Sequence, residues 1–340
     1  MKPFTFDRRQ LLIGAQALAA SAVLPGFGRR AMAQELTDMT FLTPFGFLIA
    51  FVDTMYADTG GYFEKHGLNV TINGGRGSSM AVQQVTAGNA LVSRTGGSDL
   101  IKAYATDPSI VAIGDIFQRD IFYVISAQDS PVATPEDMAG KTIGVVSASG
   151  ATENILDMML AARDIPARDV AREVVGNAPA AFELVKLGRI AAFIATSDTV
   201  FQLQVDDQPI NAWSTDEVAL SPGQVYMTSK AQLEQNTETI ARFLAAVHEG
   251  LGFTTTTDNL QAVVDSMSAK YEIFEAGRPD KGLSVLENSV KNYAAPYTDK
   301  LATNPEAWES SYRLMVKAGL IEELDDRNFH DDTARQLAFS

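Results

Sequence analysis

Short apolar runs alternate with helical stretches along most of this sequence, and this alternation constrains the fold more than any other feature. The first series runs from the strand-like "MTFLTPF" to "IVAIGDIF", with two further strand patterns and three helical patterns between them. Strands that alternate with helices in this way form parallel sheets with helices on their faces. The sequence therefore predicts an α/β fold.

A second series of strands and helices follows the long β-rich run "RDIFYVISAQDS". It begins near "SPVATPEDMAGKTIGVV", where Thr134–Asp137 predicts a short capped helix and Thr142–Val146 predicts a strand. Another β-rich run, "GQVYMTS", ends this series, and the pattern is helical from Lys230 onward. The second series is therefore flanked on both sides by extended segments.

This order predicts a nested pair of lobes. We assign residues 36–124 and 225–340, with the C-terminal helices, to an outer lobe and residues 125–224 to a second lobe. The β-rich runs are then the two crossings between the lobes, and a hinge of this kind permits closure over a ligand. The hinge candidates in the crossings are Phe122, Tyr123, Val225 and Tyr226. Two unrelated domains in tandem are the alternative interpretation.

Residues 1–33 have the pattern of an export signal. Basic residues precede the apolar stretch Leu11–Leu24, and Ala31-Met32-Ala33 has the small-x-small form of a cleavage site. Pro25 stops the stretch early, so a permanent membrane span is not expected. "DRRQLLIG" resembles a twin-arginine signal, although Asp7 and Leu11 depart from its commonest residues. We expect export to the periplasm by this route, with an ordinary secretory signal as the alternative.

Residue types that the sequence lacks exclude several kinds of chemistry. No cysteine is present, which removes disulfides, thiolate zinc sites and cysteine nucleophiles. A formal charge of −15 without a long basic run argues against nucleic-acid binding. The three histidines are far apart, and no spacing typical of a hydrolase, a zinc protease or a calcium loop occurs. We therefore expect a protein that is not an enzyme and needs no metal or other cofactor.

Four loops that lead from a predicted strand into a predicted helix are rich in small polar residues. Ligands of open parallel sheets bind at such loops, where helix N-termini present unpaired N–H groups and glycine admits a ligand to the backbone. The candidate binding residues in these loops are Gly77, Ser78, Ser79, Gly97, Ser98, Asp99, Ser147, Ser149, Thr152, Thr196 and Asp198. The alternative is plain helix capping, with Ser78 or Ser79 as an N-cap.

Aromatic residues at the end of the first predicted strand are further candidates. The segment "TPFGFLIAF" places Thr43, Phe45 and Phe47 where that strand meets the cleft. Small-molecule sites combine apolar walls with a few polar groups, so a flat ring would stack on Phe45 or Phe47. Burial of both rings in the core is the alternative.

The segment of residues 60–90 resembles the exported solute-binding proteins of ATP-driven importers, in the branch that takes sulfonates, taurine, nitrate and thiamine-pyrimidine precursors. Positions that match the family's G-x-F-x-x-x-G-L run, G-S turn and A-G-x-A helix end are Gly61, Phe63, Gly67-Leu68, Gly77-Ser78 and Ala87–Ala90. "SPVATPEDMAGKTIGVV" is similar to the family's opening of the second lobe, and "LVKLGRIAAFI" to a later run in which Ala191 replaces the usual aspartate. The resemblance covers roughly residues 40–320.

This resemblance implies a two-lobed periplasmic-binding-protein fold of the second topological type, with each lobe a mostly parallel sheet flanked by helices. It also implies delivery of a small-molecule ligand to an ABC permease with its ATPase subunit. Turns of small residues commonly line the cleft in this family, which places Ser78, Ser79, Ser149 and Thr152 in the site. A related enzyme branch uses a cysteine-rich motif that this chain lacks. We expect a monomer that is not embedded in the membrane.

The residues leave the ligand open between two chemistries. The aromatic residues and the acidic side chains Asp99 and Asp198 favour a pyrimidine-type thiamine precursor, because carboxylates suit amine or amide donors. The four helix N-termini and Arg76 favour an alkyl sulfonate, taurine or another small anion. Alternatives of another class are a periplasmic enzyme and the input protein of a sensor kinase.

Overall fold

Ten strands in the described part of the chain form two five-stranded sheets; the computed structural model describes residues 35–273 and 279–340. In spatial order, sheet 1 consists of β2 (Leu68–Gly74), β1 (Thr37–Thr43), β3 (Val92–Gly96), β10 (Gln224–Ser229) and β4 (Ile110–Asp115). Sheet 2 consists of β7 (Ala171–Val174), β6 (Thr142–Val145), β8 (Ala192–Thr196), β5 (Phe122–Ala127) and β9 (Ile210–Ser214). One strand in each sheet, β10 or β5, runs antiparallel to its neighbours, so the predicted mostly parallel sheets are confirmed.

Twelve α-helices in the same ranges flank the two sheets. They are α1 (Val52–Thr59), α2 (Tyr62–Lys65), α3 (Ser78–Thr86), α4 (Gly97–Thr106), α5 (Ala151–Ala162), α6 (Phe182–Lys186), α7 (Ser197–Val205), α8 (Lys230–Thr256), α9 (Leu260–Ser268), α10 (Pro279–Thr298), α11 (Pro305–Lys317) and α12 (Thr333–Ala338). None of the described helices has the length and apolar character that a membrane span requires. The predicted export signal, residues 1–33, lies outside the described residues.

Local sequence accounts for most of these elements. In β2 the apolar residues Leu68, Val70 and Ile72 are buried and the polar residues between them are exposed, as expected for an edge strand with one covered face. The predicted capped helix is confirmed as a 3-10 turn over Pro135–Met138. The side chain of Thr134 accepts from the backbone of Asp137, whose own side chain accepts from the Thr134 backbone, which makes a capping box.

The chain passes between the two sheets in the segments 116–121 and 215–223, which we call the crossings. They are tied to each other, because the N–H of Asp120 donates to Ser221 O at 3.0 Å and the Thr215 hydroxyl donates to the Asp120 carboxylate at 2.8 Å. The hinge candidates lie just after the crossings. They are strand residues: Phe122 and Tyr123 pair with β8, and Val225 and Tyr226 pair with β3 and β4. Their hinge role and the lobe boundaries stay predictions.

A single apolar cluster joins the two sheets through α11. Trp308, Tyr312 and Met315 of α11 belong to one buried cluster with Leu100 of α4 and Ile155 of α5, and α11 packs against both of those helices. The start of α11 is fixed to β4 by Asp115, whose Oδ2 accepts from the Asn304 backbone N–H and from Trp308 Nε1, each at 3.1 Å. Residues 36–340 accordingly form one compact unit.

Candidate ligand-binding site

The four loops rich in small residues lie at the carboxyl ends of parallel strands, beside the crossings. Two of them follow β2 and β3 of sheet 1, and two follow β6 and β8 of sheet 2. The second and third loops approach each other across the gap between the sheets. A Cβ added to Gly96 would lie 3.8 Å from the Cβ of Ala151, the first residue of α5. The starts of α4 and α5 therefore face each other.

The helices that begin at these loops have N-termini without side-chain caps. Their N-cap residues are Gly77, Gly96, Gly150 and Thr196, and no side chain of these residues accepts from a helix N–H. By contrast, α8, α9 and α11 each begin with a Ser or Asn side chain that accepts such a bond. Uncapped N–H groups favour an acceptor or an anion nearby. Because α1, α2, α6 and α12 also lack a side-chain cap, the position of the four loops beside the crossings, and not the missing cap alone, distinguishes them.

The first loop brings Ser78 onto the second loop. Gly77, with a φ of 136°, is the N-cap of α3, so the predicted N-cap role of Ser78 or Ser79 is wrong. The N–H of Gly77 is held by Pro44 O at 2.6 Å, which leaves Ser78 as the first helical residue. The Ser78 side chain lies close enough to the Asp99 carboxylate to lower its pKa. The side chain of Ser79 lies outside the described part of the structure.

In the second loop, Gly97 and Ser98 are buried at the start of α4. A Cβ on Gly97 would lie 2.4 Å from Pro222 Cγ, so only glycine fits against this crossing. The N–H of Gly97 also donates to Gly223 O at 2.7 Å. Gly97 therefore serves the contact between α4 and the second crossing.

Asp99, two residues further on, reaches across the gap to α5. Its Oδ1 accepts from Asn154 Nδ2 at 3.2 Å, and Lys102 Nζ donates to the Oδ1 of the same asparagine at 3.1 Å. Burial raises the pKa of Asp99 to about 6, and the nearby Ser78 side chain, the charge of Lys102 and the bond from Asn154 act against that rise. This carboxylate therefore occupies the space between two uncapped helix starts.

In the third loop, before α5, the hydroxyl groups of Thr152 and Ser147 contact residues of the loop itself. The Thr152 hydroxyl is buried and accepts from the Val146 N–H at 2.9 Å. Ser147 Oγ packs against Gly150, where a Cβ would lie 2.3 Å away. Ser149 is exposed, has a φ of 56°, and its N–H donates to the Glu153 carboxylate. Ser147 and Ser149 are thus the exposed candidates of this loop, and Thr152 has a local role.

The fourth loop faces α10 rather than α5. Thr196 pairs with Asn177, since its N–H donates to Asn177 Oδ1 at 3.1 Å and its Oγ1 accepts from Asn177 Nδ2 at 3.1 Å. Asp198 Oδ1 accepts from Asn288 Nδ2 of α10 at 2.7 Å. Burial raises the pKa of Asp198, and Asn288 and the more distant Arg94 act against that rise. The structure thus separates this loop from the group formed by Ser78 and Asp99.

The aromatic candidates have different surroundings. Phe45 is 43% exposed and free to contact a ligand. Phe47 is half-buried and packs on Tyr271, with ring centroids 5.0 Å apart. The Thr43 hydroxyl is buried and donates to the carbonyls of its own turn, so it shapes the loop instead of facing a solute.

Arg94 on β3 is the feature that sequence reasoning missed. Its side chain is only 2% exposed, and its Nη1 donates to Asp53 at 3.0 Å and to the Tyr293 hydroxyl at 2.7 Å. Its Nε donates to Gln224, at the start of β10. The guanidinium also lies 4.8 Å from the centre of the Phe51 ring. A buried cation needs such partners, and these tie β3, α1, α10 and the end of the second crossing together. The sequence signal for this buried cation was an arginine inside the predicted strand "ALVSRTG".

Two surface hollows lie away from these loops. One, of about 510 Å³, lies beside the amino-terminal ends of the first strands and is lined by residues that include Asp38, Asn69, Asn89, Gln232 and Asn236. The other, of about 270 Å³, lies between the ends of α5 and α11 and is lined by residues that include Asp157, Asp164, Pro166 and Lys317. Neither hollow includes a candidate binding residue.

The arrangement of two such sheets with loops facing each other is that of periplasmic solute-binding proteins. A structure from Bordetella bronchiseptica is 18% identical and has a TM-score of 0.69, with 89% of this chain and 97% of that chain covered. The alkanesulfonate-binding protein of Xanthomonas axonopodis pv. citri, bound to MOPS, is 13% identical with a TM-score of 0.63, covering 85% and 96%. The desulfurization enzyme DszB is 13% identical with a TM-score of 0.53, covering 89% and 99%. These similarities show that the two-lobed fold is present.

The family is shown by sequence. The model of the family described as NMT1/THI5 like matches residues 49–258, and the chain belongs to that family. No curated protein sequence matches the chain. The resemblance seen in the sequence motifs is therefore confirmed at the level of the family and the fold.

Proposed function

We propose that the protein is an exported receptor that binds a small organic solute between its two sheets and delivers it to an ABC permease with an ATPase subunit. The family and the fold support a solute-binding role. The observation that carries the proposal is the set of four uncapped helix starts beside the crossings, with those of α4 and α5 in contact. A solute enclosed there meets backbone N–H groups out of water, where hydrogen bonds are strongest.

The acidic side chains support a solute with N–H donors, such as a pyrimidine-type thiamine precursor. Asp99 and Asp198 stand in the first turns of α4 and α7 and accept from amide groups across the gap. A ligand amine can take the place of those amides, whereas an anion would meet two carboxylates. Phe45, which is 43% exposed, supplies a face on which a flat ring can stack.

A small anion, such as an alkyl sulfonate or taurine, is the second candidate. It is favoured by α3, whose uncapped first turn holds no acidic residue of its own, although the Asp99 carboxylate of the second loop lies beside Ser78. An alkanesulfonate-binding protein also shares the fold. The two candidates differ in which loops do the binding: Asp99 and Asp198 for a pyrimidine, and the start of α3 for an anion.

A thermal-shift screen of the mature protein with an aminopyrimidine, taurine, an alkyl sulfonate and nitrate separates these candidates. A ligand at one hundred times its Kd adds about 2.7 kcal/mol to the free energy of unfolding. For a pyrimidine ligand, Asp99→Asn and Asp198→Asn should remove the shift, because an amide donates where the ligand must donate. For an anion these variants should keep or enlarge the shift. Bulky residues at Ser78, Ser79 and Ser149 should remove it in both cases, and an unchanged shift excludes those serines.

The positions of the histidines support a binding role over catalysis. His66 pairs with Glu249 at 3.0 Å, and His248 contacts Tyr297 O at 2.8 Å. His330 lies 6.1 Å from Trp308 between ring centroids. All three are away from the four loops. Since DszB shows that an enzyme can have this fold, the direct test is recovery of each shift-inducing solute after incubation with the protein. A chemically changed solute would establish the enzyme alternative. In the remaining alternative, the closed protein would pass its signal to a sensor kinase instead of passing the solute to a permease.

We further propose that residues 1–33 send the protein to the periplasm by the twin-arginine route, where it acts as a monomer outside the membrane. The paired arginines Arg8 and Arg9 support this route. Changing both to lysine should stop export of a reporter fused to this segment, and continued export would indicate the general secretory route. The mass of the mature protein in solution, measured by analytical ultracentrifugation, tests whether it is a monomer.

A further inference from the structure

The gap between the sheets has two edges that are held by different forces. At the first, which we call the apolar edge, α11 packs on α4 and α5. At the second, the polar edge, α7 of sheet 2 meets α10, which otherwise packs on α8 and α9. The apolar edge is part of a buried cluster that contains residues of both sheets, including Val124 of β5 and Met227 of β10. Opening the molecule there would expose that cluster.

The polar edge carries no shared cluster among the described residues. The buried apolar residues of α10, Val285, Leu286 and Tyr293, belong to a cluster with no member between residues 122 and 214. The buried apolar residues of α7, Val200 and Leu203, belong to a cluster made wholly of residues 123–212. The apolar surfaces of the two helices are thus satisfied separately, each in its own half of the molecule.

Polar side chains make the contacts across this edge. Asn288 Nδ2 donates to Asp198 Oδ1 at 2.7 Å, and Asn292 Nδ2 donates to Ser197 Oγ at 3.2 Å. The Lys291 ammonium lies 5.6 Å from the centre of the Phe201 ring. The two asparagines are one turn apart on α10, so they present their amides together. Ser289 lies close enough to Asp198 to lower its pKa, although its hydroxyl makes no hydrogen bond of normal geometry.

We propose that the gap opens along the polar edge, with Asn288 and Asn292 as a releasable latch, while α11 keeps the apolar edge together. Water can replace the hydrogen bonds of the latch when it opens, so its separation costs little net free energy. Separation of the apolar edge would expose buried hydrocarbon, which water does not compensate. The latch holds Asp198 and Ser197 at the start of α7, and its release frees that carboxylate for a solute. Asn288 and Asn292 are in this sense positioning residues for the proposed site.

Spin labels at introduced cysteines test the proposal on the unliganded full-length mature chain, which has no cysteine of its own. Gln204→Cys with Glu287→Cys reports across the polar edge, and Arg163→Cys with Arg313→Cys reports across the apolar edge; all four positions are exposed. In the Asn288→Ala/Asn292→Ala variant we expect the polar-edge distance distribution to shift to longer distances and to broaden at least twofold. The apolar-edge distribution should not change. An unchanged polar-edge distribution, or equal broadening at both edges, would overturn the proposal.

A second variant guards against a general loss of packing. Asn288→Asp keeps the shape of the side chain and places a second carboxylate against Asp198, so at pH 8 it should open the polar edge as the double alanine variant does. Lys317→Ala is the matched control, because it removes the ion pair with Asp164 at 2.8 Å on the other edge. It should leave the polar-edge distribution as in wild type, and opening by this control would also overturn the proposal. Because no ligand is used, failure of the proposed ligand leaves this test intact.

Discussion

The apolar edge of the gap joins the two sheets through a shared buried apolar cluster, whereas the polar edge joins them through side-chain hydrogen bonds. Trp308, Tyr312 and Met315 of α11 fall at spacings of four and three residues, which puts them on one face of the helix and into a core shared by both sheets. In α10 the apolar face turns to one half of the molecule, and asparagines meet the other half. The difference teaches that one C-terminal segment can contain a helix that attaches the two halves, α11, and a helix at the edge that we propose to open, α10.

Removal of the central ring of the apolar edge should have the largest effect. Trp308 is 2% exposed, and Trp308→Ala should lower the free energy of unfolding by about 3–5 kcal/mol through lost burial and a cavity. Phe201→Ala at the polar edge is the matched control; because its ring is only half-buried, we expect a loss of about 1 kcal/mol. Urea unfolding measures both, and equal losses would erase the distinction between the edges.

The attachment of α11 to β4 should depend on pH. Burial raises the pKa of Asp115 to about 7, the bonds from Asn304 and Trp308 act against it, and nearby Asp332 adds to it. A raised pKa in the folded state gives a contribution that is complete below about pH 4 and is lost as pH rises through 7. Asp115→Asn should therefore reduce the loss of stability between pH 5 and pH 8 by on the order of 2 kcal/mol. Urea titrations at the two pH values check this, and a steeper loss in the variant would contradict the assignment.

One hydrogen bond of the latch should contribute little to global stability. Asn292→Ala removes the bond to Ser197, whose half-buried hydroxyl can then bond to water, so the free energy of unfolding should fall by about 0.5–1 kcal/mol. Thermal unfolding with circular dichroism detects such a change. A loss above about 3 kcal/mol would mean that the polar edge bears structural load like the apolar one.

The smallest effect is expected for the exposed ion pair at the end of the apolar edge. Lys317 and Asp164 are both largely solvated, so Lys317→Ala should change the free energy of unfolding by less than about 1 kcal/mol, and less still at high salt. Urea unfolding at two salt concentrations measures it. A large, salt-independent loss would show that the edge depends on this charge pair rather than on its apolar cluster.

Periodicity predicted the fold because it reports burial directly. The strand pattern "LNVTI" is the alternation that β2 shows, and the short capped helix predicted over Thr134–Asp137 is a 3-10 turn with a capping box. The same reasoning misplaced the N-cap of α3, since the hydrogen bond from Gly77 to Pro44 depends on a neighbouring turn and not on the serines. Local pattern therefore gave the elements more reliably than their first residues.

The contacts of the candidate site were predicted less completely, because they join distant parts of the chain. Sequence patterns carried no signal for Asn154 or Asn288, which bond to Asp99 and Asp198 at separations of 55 and 90 positions. Arg94 likewise depends on Asp53 and Tyr293, on two other helices. No spacing rule within one element brings such partners together. What the sequence did locate was the set of loops, because strand-to-helix turns rich in glycine and serine are local features.

The hydrogen bonds that begin α4 and α7 have a mechanical consequence. The first N–H of α4 donates to Gly223 O at 2.7 Å, and the first N–H of α7 donates to Ile121 O at 2.8 Å, so each helix is tethered to a crossing. A twist of a crossing would then change the orientation of the helix N-terminus that is hydrogen-bonded to it. Solute selectivity at the proposed site and the angle between the two halves are then coupled. A substitution in residues 116–121 would change both.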